Sequence, residues 1–186
     1  NGIKFFAGGG FKLEDALEDE IESLLGKTWS RPTGAGVGQI TTSVETADEA
    51  YISHLVSSID VSLEGLKIVV DCANGATSAV APEALRRCGA EVIVINAEPD
   101  GYNINANCGS THPEQLQETV VATGANFGVA FDGDADRCLA VDHEGNMVDG
   151  DQIMGLLAVS LKEQGRLTND TLVVTVMSNL GLILAM

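Results

Sequence analysis

The chain has 186 residues, with 27 acidic side chains against 10 basic ones and a formal charge of -17 at neutral pH. That balance argues against a nucleic-acid partner, whose backbone needs basic patches, but it leaves room for a phosphorylated small molecule at a local metal or basic site. No apolar run approaches the length of a membrane span, so no membrane partner is predicted either.

Taken in order, Ile3 to Ala7 is predicted to be a short strand running into Gly8-Gly9-Gly10, read as a turn because no helix start adjoins it. Between Lys12 and Leu25 the residues Leu13, Ala16, Leu17, Ile21, Leu24 and Leu25 recur at helical spacing, with acids on the other face. This is an amphipathic surface helix stopped by Gly26. Thr28 to Thr46, rich in Gly, Thr and Ser, reads as a linker. A second unit is expected from Ala47, opening with a helix capped near Thr46 or Asp48. Strands are predicted at Leu66 to Val70, Glu91 to Ile95 and Phe127 to Phe131, with helices between them from Ser78 to Cys88 and from Pro113 to Val121.

The alternation predicts an α/β fold: a mainly parallel mixed sheet with helices on both faces, binding ligands at the carboxyl ends of its strands. The long Asn96 to Thr111 segment has no clear structure of its own, a sign of function. Ser110 and His112 suggest no triad, since nothing places them together; they read as a helix cap and a helix-entry residue. Cys138 to Val141 makes a fourth strand, turned by Glu144-Gly145-Asn146. Asp151 is expected to cap a helix ending at Gly165, and Leu172 to Val176 to form a further strand. Cys72, Cys88, Cys108 and Cys138 form no C-x-x-C pair, so zinc-ribbon and redox motifs are excluded and a reducing, cytoplasmic setting is predicted. The chain has no initiator methionine and is expected to be a piece of something larger.

The chemistry concentrates in Phe131-Asp132-Gly133-Asp134-Ala135-Asp136-Arg137. Three carboxylates within five residues repel one another, and Arg137 alone cannot compensate them. A divalent cation can, and hard oxygen ligands select magnesium, calcium or manganese. An EF-hand is excluded, because its sixth and twelfth positions would hold Arg137 and His143 rather than glycine and glutamate. A phosphatase of the haloacid-dehalogenase type fits poorly, since Asp136 stands where it would place a hydroxyl residue.

The DGDADR run resembles the metal loop of the α-D-phosphohexomutases. Three further stretches agree with that family: Asn1 to Phe6, Asp71 to Ala76, and Asn107 to Glu114. The last of these tilts the resemblance towards the branch acting on glucosamine phosphates.

The resemblance implies magnesium on Asp132, Asp134 and Asp136, catalytic roles for Lys4 and Arg137, a hexosamine phosphate substrate and a bisphosphate intermediate; a homo-oligomer is compatible with it. It also implies a phosphoserine upstream of Asn1, so the 186 residues alone are expected to be inactive. It divides the chain into the end of one domain (1–30), a linker (31–46), a complete second domain (47–146) and the start of a third (147–186). Two alternatives stay open: a phosphomannomutase or phosphoglucomutase of the same superfamily, and a non-catalytic module binding metal or sugar phosphate.

Overall fold

A computed structural model of the chain describes residues 5–39, 41 and 44–186. It divides into two compact units, 1–43 and 44–186.

In the first unit the chain reverses at Gly8 to Gly10, where the Ala7 N–H donates to the Phe11 carbonyl at 2.8 Å and Phe6 pairs antiparallel with Lys12. Of the predicted strand only this isolated bridge is seen; Ile3 and Lys4 lie outside the described residues. Helix α1 (Asp15–Leu25) starts three residues later than its periodicity suggests. The Lys12 ammonium sits ahead of the first turn, 2.8 Å from Asp15 and 3.1 Å from Glu18, a favourable place for those acids. No residue of α1 is buried, which fits a surface helix. Of the segment read as a linker, the described residues 28–39 and 41 are irregular apart from a short 3-10 turn at Gly34–Gly36, and its last three residues are already helical.

The second unit opens with α2 (Val44–Ser57), which starts ahead of both expected caps. There follow β1 (Lys67–Asp71), α3 (Thr77–Arg87), β2 (Glu91–Ile95), α4 (Glu114–Thr123), β3 (Phe127–Phe131), β4 (Cys138–Asp142) and β5 (Met147–Val148). The sheet order is β2-β1-β3-β4-β5. The first three strands run parallel, and β4 and β5 are added antiparallel.

The crossover from β1 to β2 through α3 and the one from β2 back across β1 to β3 through α4 run in opposite directions, which places their helices on opposite faces, and the side chains agree. Ile68 and Val70 of β1 pack with Ala81 and Leu85 of α3. Val69 faces the other way, towards Leu116 and Val120 of α4. Alternation along one strand thus feeds two cores. Helix α2 lies on α3, joined by Arg87, whose guanidinium grips both Glu49 oxygens at 2.7 and 2.8 Å and reaches Glu83 at 2.9 Å. The bidentate contact pulls the Glu49 carboxyl down to about 2.

Two expectations for the last segment fail. Helix α5 (Gly150–Glu163) is capped by Asp149 rather than Asp151. The Asp149 carboxylate accepts the Gln152 N–H at 2.9 Å and the Gln152 side chain accepts the Asp149 N–H at 2.8 Å, a complete capping box. Leu172 to Val176 forms no strand and pairs with none of the described residues. A short helix, α6 (Leu180–Ala185), follows it, capped by Asn179. Among the described residues no helix is long and apolar enough to cross a membrane.

Candidate metal site at the strand ends

Asp71 of β1 lies in register with Ala130 of β3. The chain therefore leaves these two parallel neighbours at the same end of the sheet, and Asp132 to Arg137 begins there. Inside this loop the Asp132 carbonyl accepts the Ala135 N–H at 3.0 Å and the Asp132 carboxylate accepts the Arg137 N–H at 3.1 Å. Ala135 takes a left-handed conformation, φ 63°. The turn folds the alternate side chains back together, so that oxygens of Asp132, Asp134 and Asp136 all lie within 4.8 Å of one another.

The electrostatics match that crowding. Asp136 is held above the ordinary carboxylate range, first by the Asp134 charge and then by partial desolvation. Arg137 does little to relieve it. Its Nε stands 3.7 Å from both Asp132 and Asp136, and its side chain is 74% exposed, so these are loose, solvent-screened pairs. Three converging hard oxygens, mutually repelled and uncompensated by the one adjacent guanidinium, fit a divalent cation of the magnesium type.

The loop is gripped from two sides. On one, the Gly133 carbonyl accepts the Ala76 N–H at 2.9 Å, and a Cβ on Gly75 would overlap that carbonyl. On the other, the Ile104 side chain occupies the place where a Gly133 Cβ would stand, 2.5 Å from it. The long 96–111 segment is therefore a wall of the site. Of the residues expected here, Asp132, Asp134, Asp136 and Arg137 come together; Lys4 lies outside the described residues.

The Ser110 and His112 readings change in detail. Ser110 is buried, while the exposed His112 ring pairs with the Thr111 hydroxyl at 3.2 Å. Neither Ser110 nor Thr111 caps α4, whose N-cap is Pro113 with no side-chain bond.

Sequence reasoning named Asp71 only as the start of a family-like stretch and gave it no role of its own. It is fully buried at the end of β1, and both its oxygens are used: one accepts the Ala73 N–H and the other the Gly109 N–H, each at 2.9 Å. The available signal was a carboxylate followed by Cys-Ala-Asn-Gly at a strand end.

A mixed sheet covered on both faces, with a carboxylate trio where a parallel strand gives out, defines an α/β unit whose strand ends carry a set of oxygens suited to a divalent cation. The description "Phosphoglucomutase/phosphomannomutase, alpha/beta/alpha domain II" matches residues 49–145, and that of domain III matches 149–186. The chain belongs to the phosphoglucomutase/phosphomannomutase family.

Among curated relatives it is 69% identical over 191 residues to a phosphoglucosamine mutase of Bifidobacterium animalis subsp. lactis (strain AD011), covering 100% of this chain and 42% of that protein. A phosphoglucosamine mutase of Symbiobacterium thermophilum is 60% identical over 185 residues, covering 98% of the chain and 41% of the relative. A solved phosphoglucomutase/phosphomannomutase family protein from Burkholderia thailandensis superposes with TM-score 0.56 at 31% identity, over 64% of this chain and 26% of its own. The chain thus spans well under half the length of these relatives.

Proposed function

We propose that the full-length protein carrying these residues is an intramolecular phosphotransferase that interconverts glucosamine 6-phosphate and glucosamine 1-phosphate, with Mg2+ on Asp132, Asp134 and Asp136. The observation that carries this is the convergence of three carboxylate oxygens within 4.8 Å at the end of β3. Support comes from the 69% identity to a phosphoglucosamine mutase.

A cation bound there supplies charge neutralisation for a transferring phosphoryl group. The chain's own residues do the rest. The Arg137 backbone N–H orients the Asp132 carboxylate. The Arg137 guanidinium, exposed and only loosely paired, is free to turn its fork to a phosphate. Lys4 is assigned a neutralising or proton-transferring role on the resemblance of the Asn1 to Phe6 stretch. The same reading makes 1–30 the end of a first domain, 31–46 a linker, 47–146 a whole second domain and 147–186 the start of a third.

The test is turnover by the full-length protein with Mg2+ and a bisphosphate activator, comparing the 6-phosphates of glucosamine, mannose and glucose. Glucosamine 6-phosphate should be the preferred substrate. Equal or faster conversion of the mannose or glucose compound would overturn the substrate, and no conversion of any would overturn the reaction.

A further inference from the structure

Asp71 touches none of the three aspartates' expected work, yet both walls of the slot that holds Gly133 hang from it. Its first oxygen holds the Ala73 N–H. Ala73 is itself left-handed, φ 51°, and its carbonyl accepts the Asn105 N–H at 2.9 Å. Beside Asn105 stands Ile104, whose side chain covers Gly133. Its second oxygen holds the Gly109 N–H, 38 residues away in sequence. Gly109 has φ +72° and lies so close that a Cβ there would come 2.5 Å from the Phe131 carbonyl and 2.6 Å from the Ala73 methyl. The carboxylate therefore joins the turn after β1 directly to Gly109 and, through the Ala73 carbonyl, to Asn105, and the 96–111 segment lies against the residues on either side of Asp132.

We propose that Asp71 is a positioning residue for the cation site, setting the slot in which Gly133 sits and hence the spacing of the carboxylates that flank it. This rests on reading Asp132, Asp134 and Asp136 as cation ligands. An aspartate suits the task because it offers acceptors only. Asparagine has the same shape but replaces one acceptor with an N–H₂ donor, so either the Ala73 or the Gly109 N–H would face another donor.

The experiment uses Asp71→Asn in the full-length protein, with Mn2+ as the probe. The Mn2+ dissociation constant, by titration calorimetry, should rise about 10–100-fold, the range for residues that orient metal ligands from outside the coordination shell. Without metal, amide exchange should quicken together in 104–111 and 131–137 while β1 and β3 stay protected. Unchanged Mn2+ affinity would overturn the proposal; so would a general loss of protection, which would mark Asp71 as merely structural.

If Asp71→Asn does not fold, Ile104→Ala decides, since it disturbs no buried carboxylate. It should weaken Mn2+ binding and loosen 131–137, and wild-type behaviour in both would refute the coupling. If the unaltered protein binds no Mn2+, the cation reading fails by itself. The exchange experiment then judges the brace alone, and independent exchange of the two segments would sink it.

Discussion

Asp71 and Asp132 make a natural pair. Each stands at the carboxyl end of one of two adjacent parallel strands, each is at least nine-tenths buried, and each precedes a left-handed alanine, Ala73 or Ala135. Each also ties an N–H of its own loop to one carboxylate oxygen. They differ in the second oxygen. That of Asp71 is taken by Gly109 at 2.9 Å, whereas among the described residues that of Asp132 has only the loose Arg137 contact at 3.7 Å. A saturated carboxylate stiffens a scaffold; one with coordination capacity to spare can hold a ligand. What separates them is the supply of N–H donors, not the aspartate.

The sharpest way to break this contrast is to remove a ligand from the unsaturated loop. Asp134→Asn should weaken Mg2+ binding by more than the roughly 10–100-fold expected of outer-shell changes, and abolish turnover in the full-length protein. Wild-type metal affinity in this variant would end the assignment.

The effect of pH follows from the same crowding. Asp136 is held above its ordinary value of 3.8, chiefly by the Asp134 charge. Without metal, its proton therefore favours the folded state: that contribution is complete below the ordinary value and lost as pH rises through the raised one. Cation binding requires the proton to leave. Thermal stabilisation by Mg2+ should accordingly grow as pH rises through the raised Asp136 value and then level off. In Asp134→Asn the raising charge is gone, and any residual stabilisation should level off at lower pH.

Much of the scaffold was legible in the residues, because strand type is written locally. Glu91 to Ile95 and Phe127 to Phe131 are the strands their apolar runs predict. The acidic trio was equally local, its three members lying within five positions. What escaped depends on distant partners. Leu172 to Val176 has strand composition, but a strand needs a neighbour to bond with, and none of the described residues provides one. Asp71 looks much like Asp132 in its immediate context; only Gly109, 38 positions on, reveals its use. The Asp149–Gln152 capping box was local and readable, but a run of apolar residues beginning at Ile153 drew the cap to Asp151 instead.

A second comparison tests which wall of the slot is rigid. An added Cβ at Gly75 would overlap the Gly133 carbonyl and stand 2.7 and 2.8 Å from its Cα and carbonyl carbon, all backbone. At Gly133 it would meet the end of the Ile104 side chain and, at 2.9 Å, the Asn105 amide. A side chain can turn aside; a strand-end backbone cannot. Gly75→Ala should therefore cost about 1–3 kcal/mol of unfolding free energy, and Gly133→Ala less. Equal losses in denaturant titrations would show that the 104–105 wall is as stiff as the 73–76 turn.

The smallest effect should come from the two left-handed alanines. Glycine relieves a left-handed strain of about 1–2 kcal/mol but enlarges the unfolded ensemble at a cost of about 0.4–1 kcal/mol. For Ala135, half-buried in the 132–137 loop, little else changes, and Ala135→Gly should be neutral or slightly stabilising. Ala73 is fully buried, its methyl packed against Gly109. Removing it forfeits roughly 0.8 kcal/mol of apolar burial, so Ala73→Gly should fall below Ala135→Gly by about that amount. Denaturation midpoints of the two variants, measured without metal, check this. A more stable Ala73→Gly would mean that the saturated turn, not the 132–137 loop, holds the greater strain, and the contrast between the two aspartates would have to be redrawn.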